Sequence, residues 1–282
     1  MACTRHSQPT LDSGSVFWCD TDSYGREIVL KTEPQRIISL SPCLTEIIFL
    51  LGGEDKLIGI SDFCQYPPEG TDQIPRVGGL TNCHVESLLA MQPDVVLIGS
   101  IVARETVERI ENAGIPVIAI RAESSLNDLV PTIKTVGEIL NATARATDTA
   151  KAFQQRLEIL RQNSETDNGK TKKVYYVVGF GAGGDFTAPA HTHIDEMISL
   201  AGGCNVGQKL QTWNISREYL FQQDPDIIII RSEDLDAFVH TPPYSSLTAV
   251  KTGHVHPIES GTIDIVSPRN LEAIEKIREL KR

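Results

Sequence analysis

The sequence predicts an α/β protein built from two similar lobes, each with a mainly parallel sheet flanked by helices. The first observation is an ungapped repeat: residues 82–100 and 214–232 share Asn, Glu, Leu, Pro, Asp and a final Ser at the same spacing. The second is the pattern within each copy, a short helix, a Pro-Asp turn and four apolar residues without polar alternation. Such a run is typical of a strand buried on both faces in a parallel sheet. Two copies in one chain indicate two lobes of one design.

Length and charge limit the classes of protein that the chain can represent. With 282 residues, of which 40% are hydrophobic, it can form two domains with real cores. A net charge of -11 argues against nucleic acid or an anionic membrane as the main partner. We expect no membrane-spanning helix, since no run of about 20 apolar residues is present, and the polar start lacks the apolar segment of a signal peptide.

Strands and helices alternate along the first half of the chain. The predicted elements are a hairpin within residues 16–30 that turns at residues 24–26, a strand at 36–40, a helix at 47–51, a strand at 57–60, the first repeat, a helix at 105–113 and a strand at 116–120. Pro42 ends the first strand, and Gly52 ends the helix that follows. This alternation predicts βαβ units and a mainly parallel sheet.

The second half restarts the same pattern after a helical segment. Residues 124–163 have apolar residues at helical spacing, interrupted near Asn141, and predict one or two helices that form a stiff connector. The later elements are a strand at 174–178, a glycine-rich segment at 179–184, a helix at 194–201, the second repeat, a loop or short helix at 236–240, a strand near 255–258 and a helix at 270–282.

These elements divide the chain into four parts. We expect a flexible tether at residues 1–23, an N-terminal lobe at 24–123, a connecting helix at 124–163 and a C-terminal lobe at 164–282.

Glu86 and Glu218 occupy matching positions in the first turns of the two repeat helices. A carboxylate there stabilises a helix by roughly 0.3–1 kcal/mol through the helix dipole, and local physics alone favours this role. The matched positions also fit a pair of exposed groups, one on each lobe, that docks a two-fold symmetric partner. Both interpretations stay open on these residues alone.

Two His-x-His pairs raise the question of a metal. His191 with His193, and His254 with His256, place two imidazoles on one face of an extended chain, as a zinc or manganese site could use. No further cluster completes either pair, and no nucleophile motif appears, so we expect neither a metal nor catalysis. His191 or His193 can still contact a ligand.

The glycine-rich segment at residues 179–184 follows a predicted strand, where a phosphate-binding loop could lie. Its glycines do not have the Gly-x-Gly-x-x-Gly spacing, and no helix starts directly after it. We therefore expect a loop that permits close approach of other groups rather than a nucleotide site.

Aromatic side chains are concentrated in loops that follow predicted strands, where open α/β sheets bind ligands. Core packing explains any one of them, but as a set they predict an aromatic-lined cleft for a large, partly apolar ligand. The set is Phe63, Tyr66, Phe180, Phe186, Trp213 and Tyr244.

The six cysteines include no Cys-x-x-Cys pair, so a zinc ribbon or thioredoxin-type site is not expected. Cys43, Cys64, Cys83 and Cys204 have apolar or small neighbours and are predicted in the core or a pocket wall. Cys3, followed by a polar stretch, fits either the first residue of a mature lipoprotein or a free surface thiol.

Several short motifs resemble those of class III periplasmic substrate-binding proteins of ABC importers, which carry cobalamin, haem or ferric siderophores. The resemblance runs from about residue 24 to the C-terminus. The cobalamin-binding branch is the most similar, through residues 66–68, 186–187 and Trp213. The motifs are Arg-Ile-Ile-Ser-Leu-Ser-Pro at 36–42 with Thr45-Glu46, Tyr-Pro-Pro at 66–68, Val-Gly-Gly at 77–79, Met-Gln-Pro-Asp at 91–94, Trp-x-x-Ser-Arg-Glu at 213–218 and Ser-Pro-Arg at 267–269.

This resemblance implies two α/β lobes joined by a single long rigid helix, with the ligand held in the cleft and no catalytic step. It implies that Glu86 and Glu218 are lobe-tip carboxylates that pair with arginines on a dimeric ABC permease in the inner membrane. It also implies that Tyr66 and Trp213 face the ligand. The full predicted ligand-facing set is Phe63, Cys64, Tyr66, Leu80, Phe180, Phe186 and Trp213.

The ligand implied by the resemblance is a corrinoid, with haem or a ferric siderophore as alternatives, and no further cofactor is expected. The protein is expected to be a monomer, periplasmic or at the cell surface, and lipid-anchored through Cys3. A metal-binding protein or metalloenzyme that uses the His-x-His pairs is the remaining alternative.

Overall fold

The structure, a computed structural model, describes residues 16–79, 82–99, 102–121, 125–165, 171–259 and 261–281. The strands are β1 (Trp18–Thr21), β2 (Glu27–Leu30), β3 (Ile37–Ser39), β4 (Leu57–Ile60), β5 (Val95–Ile98), β6 (Val117–Ala119), β7 (Lys173–Val177), β8 (Cys204–Asn205), β9 (Ile227–Arg231) and β10 (Val255–Ile258). The helices are α1 (Pro42–Leu50), α2 (Pro68–Thr71), α3 (Val85–Ala90), α4 (Arg104–Asn112), α5 (Leu129–Ile139), α6 (Thr143–Glu165), α7 (His193–Leu200), α8 (Arg217–Gln223), α9 (Leu235–His240), α10 (Thr248–Lys251) and α11 (Asn270–Leu280).

Two four-stranded parallel sheets define the two lobes and confirm the predicted fold class. The N-terminal sheet has the order β4-β3-β5-β6, and the C-terminal sheet has the order β10-β9-β7-β8. Read in the opposite direction, the second order matches the first strand for strand. The two repeat strands, β5 and β9, are buried along all four repeated apolar positions, as their unbroken apolar runs predict.

The Pro-Asp turn of each repeat fastens the end of its helix to the start of a central strand. Asp94 Oδ2 accepts hydrogen bonds from the backbone N–H groups of Gln35 (2.8 Å) and Arg36 (2.9 Å) ahead of β3. Asp226 Oδ2 accepts one from the N–H of Lys173 (2.7 Å) at the start of β7. The same fastening in both lobes explains why Asp recurs at this spacing.

A cation completes this arrangement in each lobe. The Arg36 guanidinium donates to the carbonyl oxygens of Gln92 (3.1 Å) and Met91 (2.6 Å), just after α3. The Lys173 ammonium donates to the carbonyl oxygen of Gln223 (2.7 Å), at the end of α8. Positive side chains at helix C-termini satisfy carbonyl groups that the helix leaves unpaired and complement its dipole.

The connector consists of two helices, with the longer one, α6, spanning 23 residues. The turn between α5 and α6 contains Asn141 in the left-handed region (φ 59°), at the interruption noted in the sequence. At 1.5 Å per residue, α6 is about 35 Å long. The two helices pack closely, since a Cβ added to Gly137 would lie 2.1 Å from the Cβ of Ala146.

One continuous apolar core joins both lobes to the connector. It contains Ile47 of α1, Ile133 of α5, Phe153 of α6, Ile198 of α7 and Ile274 of α11. Each lobe also has its own cluster on the other face of its sheet. The connector is therefore packed on both sides rather than free in solvent.

The N-terminal lobe begins earlier than predicted. The hairpin β1–β2 is antiparallel and turns at Gly25 (φ 77°), and Trp18 is buried and donates from Nε1 to Glu138 of α5 at 3.2 Å. Residues 16–23 therefore belong to the lobe and not to a tether, because an indole packed against α5 fixes the chain there. Cys3 lies outside the described residues. The remaining lobe limits stay a prediction.

One helix boundary differs from the predicted one for a local reason, and one segment predicted as loop or short helix is resolved. Helix α1 starts at Pro42 instead of residue 47, because the Ser41 hydroxyl caps it and proline is favourable in a first turn. The ambiguous segment before His240 is a helix, α9. Across the described ranges, no helix is both long and apolar enough to cross a membrane.

Candidate functional site

Loops from both lobes line a cavity of about 540 Å³, which lies within the usual size range of small-molecule sites. The N-terminal lobe contributes Phe63 and Tyr66 from the loop that follows β4. The C-terminal lobe contributes Ser232 and Glu233, which follow β9, and Ile265. Ligand sites of parallel sheets lie at the carboxyl ends of their strands, as this cavity does.

An ion pair crosses from one lobe to the other at the edge of this cavity. The Arg269 guanidinium donates from Nε (2.9 Å) and Nη2 (2.7 Å) to the two carboxylate oxygens of Glu46. The side chains are 14% and 5% exposed, so this is a buried, bidentate contact of the strong kind. The guanidinium carbon also lies 3.8 Å from the centre of the Tyr66 ring, in a cation–π contact.

This group of three side chains forms a wall between two spaces. Glu46, Tyr66 and Arg269 line the interlobe cavity and also a second cavity of about 570 Å³ bounded by α1, α6 and α11. The sequence motifs contained Glu46 and Arg269, but nothing in the sequence pairs them, because 223 positions separate them.

Phe63 and Tyr66 are exposed, as the predicted role in a cleft requires, whereas Cys64 is not. Cys64 is only 1% exposed, and its sulfur contacts the hydroxyls of Thr45 (3.1 Å) and Ser61 (3.2 Å). Burial raises the pKa of the Cys64 thiol above its ordinary value, which keeps it protonated and unreactive. The structure therefore places Cys64 inside the lobe instead of at the cleft surface. Leu80 lies outside the described residues.

The predicted aromatic residues of the C-terminal lobe divide into two groups. Trp213 is exposed and Phe186 is half-buried. Phe180 is half-buried and packs edge-on against Phe238 and Tyr244, at ring-centre distances of 5.1 and 5.5 Å. Tyr244 is buried, so it belongs to the core of the lobe and not to the surface of the cleft.

The glycine-rich segment permits close approach, as predicted. The ring of Phe186 lies against it, so that a Cβ added to Gly179 or Gly184 would be 3.3–3.4 Å from ring carbons. Gly184 has φ 110°, a conformation that favours glycine.

Two hydrogen-bonded segments carry the aromatic side chains Phe186 and Trp213. The backbone N–H of Thr187 donates to Trp213 (2.9 Å), and the N–H of Ile215 donates to Asp185 (2.9 Å). These bonds join residues 185–187 and 213–215 into one unit, the ladder. Phe186 and Trp213 therefore lie on one connected unit.

A buried carboxylate in the ladder was missed by sequence analysis. The Asp185 side chain is 3% exposed, and it accepts hydrogen bonds from Gly181 N–H (3.1 Å), Arg217 Nε (2.9 Å) and the Tyr244 hydroxyl. Burial and the hydrogen bond to Asp185 raise the pKa of the Tyr244 hydroxyl. The Asp185 and Arg217 residues lie 32 positions apart, and only the glycine-rich context of Asp185 hinted at a special role.

Both predicted docking carboxylates are on the surface, in the first turns of α3 and α8. The Glu86 side chain is 93% exposed and lies 3.7 Å from the Arg109 guanidinium of α4. Glu218 is also exposed, and its helix is capped by the Ser216 hydroxyl, which accepts from Tyr219 N–H at 3.1 Å. These positions are compatible with docking and with helix stabilisation alike.

The histidine pairs are not arranged as a metal centre. His193 is buried with its Nε2 2.8 Å from the carbonyl oxygen of Ile263, while His191 is exposed. The rings of His254 and His256 lie 6.5 Å apart, centre to centre. Among the residues that the structure describes, no group of three or more His, Cys, Asp or Glu side chains is placed to hold a metal ion.

Two α/β lobes with a ligand-sized cavity between them define the class of two-lobed solute-binding proteins. The chain belongs to the periplasmic binding protein family, which it matches over residues 37–260. Proteins of this family bind small molecules and deliver them to ABC importers.

The similar proteins include ones named as cobalamin-binding and ones named as haem-binding. A cobalamin-binding protein of Halobacterium salinarum is 28% identical, over 92% of this chain and 72% of that protein. The haem-binding protein RhuT from Roseiflexus sp. RS-1 has a TM-score of 0.77 at 22% identity, over 87% of this chain and 97% of the other. The vitamin B12-binding protein BtuF of Vibrio cholerae has a TM-score of 0.74 at 21% identity, over 88% and 96%. At these identities the two solved structures show the fold alone.

Proposed function

We propose that this protein binds a corrinoid in the interlobe cleft and delivers it to a dimeric ABC permease in the inner membrane. The protein performs no catalytic step in this account, and it acts as a monomer that docks through Glu86 and Glu218. The observation that carries the proposal is the cavity between the two lobes, lined by exposed aromatic side chains, in a chain whose relative of 28% identity is a cobalamin-binding protein.

The charge of the cavity wall supports a corrinoid over haem. Glu69, Glu233 and Glu259 are exposed and line the cavity, and its lining cation among the described residues, Arg269, is already paired with Glu46. Haem brings two carboxylates, whereas the side groups of the cobalamin corrin ring are mostly uncharged amides. Two like charges about 7 Å apart repel by roughly 0.6 kcal/mol even in water, and by more in a cleft of lower dielectric constant. The carboxylates of Glu69, Glu233 and Glu259 therefore disfavour a dianionic ligand.

Exposed aromatic rings suit the faces of a large macrocycle. Phe63 and Tyr66 on the N-terminal lobe and Trp213 on the C-terminal lobe offer flat, partly apolar surfaces with little side-chain entropy to lose. The contact of Arg269 with Tyr66 fixes one of these rings before ligand arrives. In this proposal Phe186 adds to the C-terminal surface, and Leu80 and Phe180 are the remaining members of the predicted set apart from the buried Cys64.

Location and anchoring belong to the same proposal. Family membership supports a periplasmic or cell-surface protein, and a lipid on Cys3 would keep it near the permease. Mass spectrometry of Cys3 in protein isolated from its host membranes tests the anchor. An unmodified thiol there would contradict it.

The ligand is tested with three coloured candidates: cyanocobalamin, haem and a ferric siderophore. Each is mixed with the protein, separated by gel filtration and followed by its visible absorbance in the protein peak. We expect stoichiometric retention of cyanocobalamin. Retention of haem or the siderophore instead would replace the corrinoid by that ligand, and retention of none would remove the proposal.

Fluorescence can assign the contact to one side chain, because the chain has only two tryptophans. Trp18 is buried against α5, while Trp213 is exposed at the ladder. Quenching by cyanocobalamin should vanish in Trp213→Phe and persist in Trp18→Phe.

The charge of the cavity lining is tested with the double variant Glu233→Gln, Glu259→Gln. If these carboxylates act through their charge, the double variant should bind haem more strongly and cyanocobalamin as wild type does.

Docking is tested separately from binding. Glu86→Gln and Glu218→Gln should each lower uptake of labelled cyanocobalamin by host cells while its affinity for the isolated protein stays the same. Glu108→Gln, an exposed carboxylate on α4, is the matched control and should not change uptake. Normal uptake in the double variant would contradict the docking role, and loss of folding would assign both residues to helix stabilisation.

A further inference from the structure

We infer that Arg217 is a positioning residue that joins the ligand-facing ladder to the start of helix α8, so that ligand contact and presentation of Glu218 are linked. The inference rests on the proposed function for its ligand and partner. The hydrogen bonds by which Arg217 joins the ladder to α8 are present in the ligand-free chain and do not depend on the ligand.

The Arg217 side chain reaches back from the first residue of α8 to Asp185 in the ladder and to Gly181 in the loop before it. Its Nε donates to Asp185 Oδ2 at 2.9 Å, and its Nη2 donates to the carbonyl oxygen of Gly181 at 2.7 Å. A guanidinium holds two such acceptors in one fixed plane, which a lysine ammonium cannot do.

Asp185 needs this cation because its carboxylate is buried. At 3% side-chain exposure it would be strongly destabilised without charge compensation, and its other partners, Gly181 N–H and the Tyr244 hydroxyl, are neutral. Arg217 supplies this charge compensation. It is itself 46% exposed, so its outer edge remains at the surface beside Glu218.

The ladder carries this constraint to the aromatic side chains. Asp185 accepts the backbone bond from Ile215, and Thr187 donates to Trp213. Ser216 then caps α8, and Arg217 and Glu218 are the first two residues of that helix. A ligand that shifts the backbone at Phe186 or Trp213 would therefore also shift the start of α8.

At the position that corresponds to Arg217, the other lobe has valine instead of a cation. The repeat aligns Arg217 with Val85, whose apolar side chain is buried in the core of its lobe. Glu86 instead lies near Arg109 of the neighbouring helix. The two docking tips are thus built differently, and we expect the C-terminal tip alone to respond to ligand through an ionic contact at this position.

The structural part is tested by amide hydrogen exchange on the ligand-free, full-length protein. In Arg217→Gln, exchange at the amides of Thr187 and Ile215 should become about tenfold faster, the loss expected when a charged hydrogen bond is removed from a locally opening unit. In Arg217→Lys, the exchange rates of both amides should lie between those of Arg217→Gln and wild type. Arg104→Gln, an exposed arginine of the other lobe, is the matched control and should change neither amide. Unchanged exchange in Arg217→Gln would overturn the inference.

The linkage is tested with cyanocobalamin on the same variants. In wild type the ligand should slow exchange at the Tyr219 amide in the first turn of α8, and in Arg217→Gln this protection should be lost while cyanocobalamin still binds. Equal protection in both proteins would overturn the linkage. If wild type binds no cyanocobalamin, the proposed ligand fails, whereas the ligand-free exchange at Thr187 and Ile215 still accepts or rejects the positioning role of Arg217.

Discussion

Removing Arg269 while keeping Glu46 should strongly destabilise the protein. The Glu46 side chain is only 5% exposed, so Arg269→Met leaves a buried carboxylate without its cation. Breaking one partner of a buried, hydrogen-bonded ion pair costs about 3–5 kcal/mol. Loss of the cation–π contact with Tyr66 adds about 0.5–2 kcal/mol. We expect a total loss of about 3.5–7 kcal/mol in the free energy of unfolding, a large share of the 5–15 kcal/mol typical of folded proteins.

The double variant Glu46→Leu with Arg269→Met separates charge from packing. Replacing both ions by apolar groups of similar volume is often neutral, so the double variant should lose less than Arg269→Met alone. Urea unfolding followed by circular dichroism measures each free energy, and the coupling energy follows from the double-mutant cycle. A loss below about 1 kcal/mol in Arg269→Met, or a double variant that loses the sum of both single changes, would show that Glu46 and Arg269 do not stabilise the protein as a buried ion pair.

Two further outcomes follow from other parts of the C-terminal lobe. Burial lowers the pKa of His193 below its ordinary value of 6.5, so the unfolded chain binds the proton more tightly and stability should fall as the pH drops below about 6.5. His193→Gln, which can still donate to Ile263, should reduce the difference in melting temperature between about pH 8 and about pH 5, and an unchanged difference would contradict the assignment. Gly207→Ala should cost about 1–3 kcal/mol, because its Cβ would lie 2.1 Å from the carbonyl oxygen of Ala188. Gly183→Ala has no atom within 4 Å of the new Cβ and should melt near wild type; equal melting temperatures for the two alanine variants would be evidence against close packing at Gly207.

The repeat made most of the fold predictable. Uninterrupted apolar runs located β5 and β9, and the spacing of Asp94 and Asp226 followed from a turn that binds the start of a neighbouring strand. Strand β1 lies within the residues predicted as a tether. Its place in the lobe was not predictable, because the burial of Trp18 depends on Glu138 and the rest of α5, which lie far along the chain.

The site was less predictable because its contacts are long-range. Glu46 and Arg269 are 223 positions apart, and Asp185 and Tyr244 are 59 apart, so no local pattern joins them. Cys64 stands among exposed aromatic residues in the sequence, but its side chain turns inward to the hydroxyls of Thr45 and Ser61. Side-chain direction in a loop depends on which buried polar groups need partners, and the sequence does not state this.

The apolar core shared by α1, α6 and α11 has a consequence for unloading. Separating the two lobes would expose apolar side chains of this core to water, so thermal motion alone opens the cleft only slightly. In the proposed function, a permease bound to Glu86 and Glu218 would supply the work that separates the lobes and frees the ligand. Under that proposal, a stiff binding protein leaves the opening of the cleft to the permease.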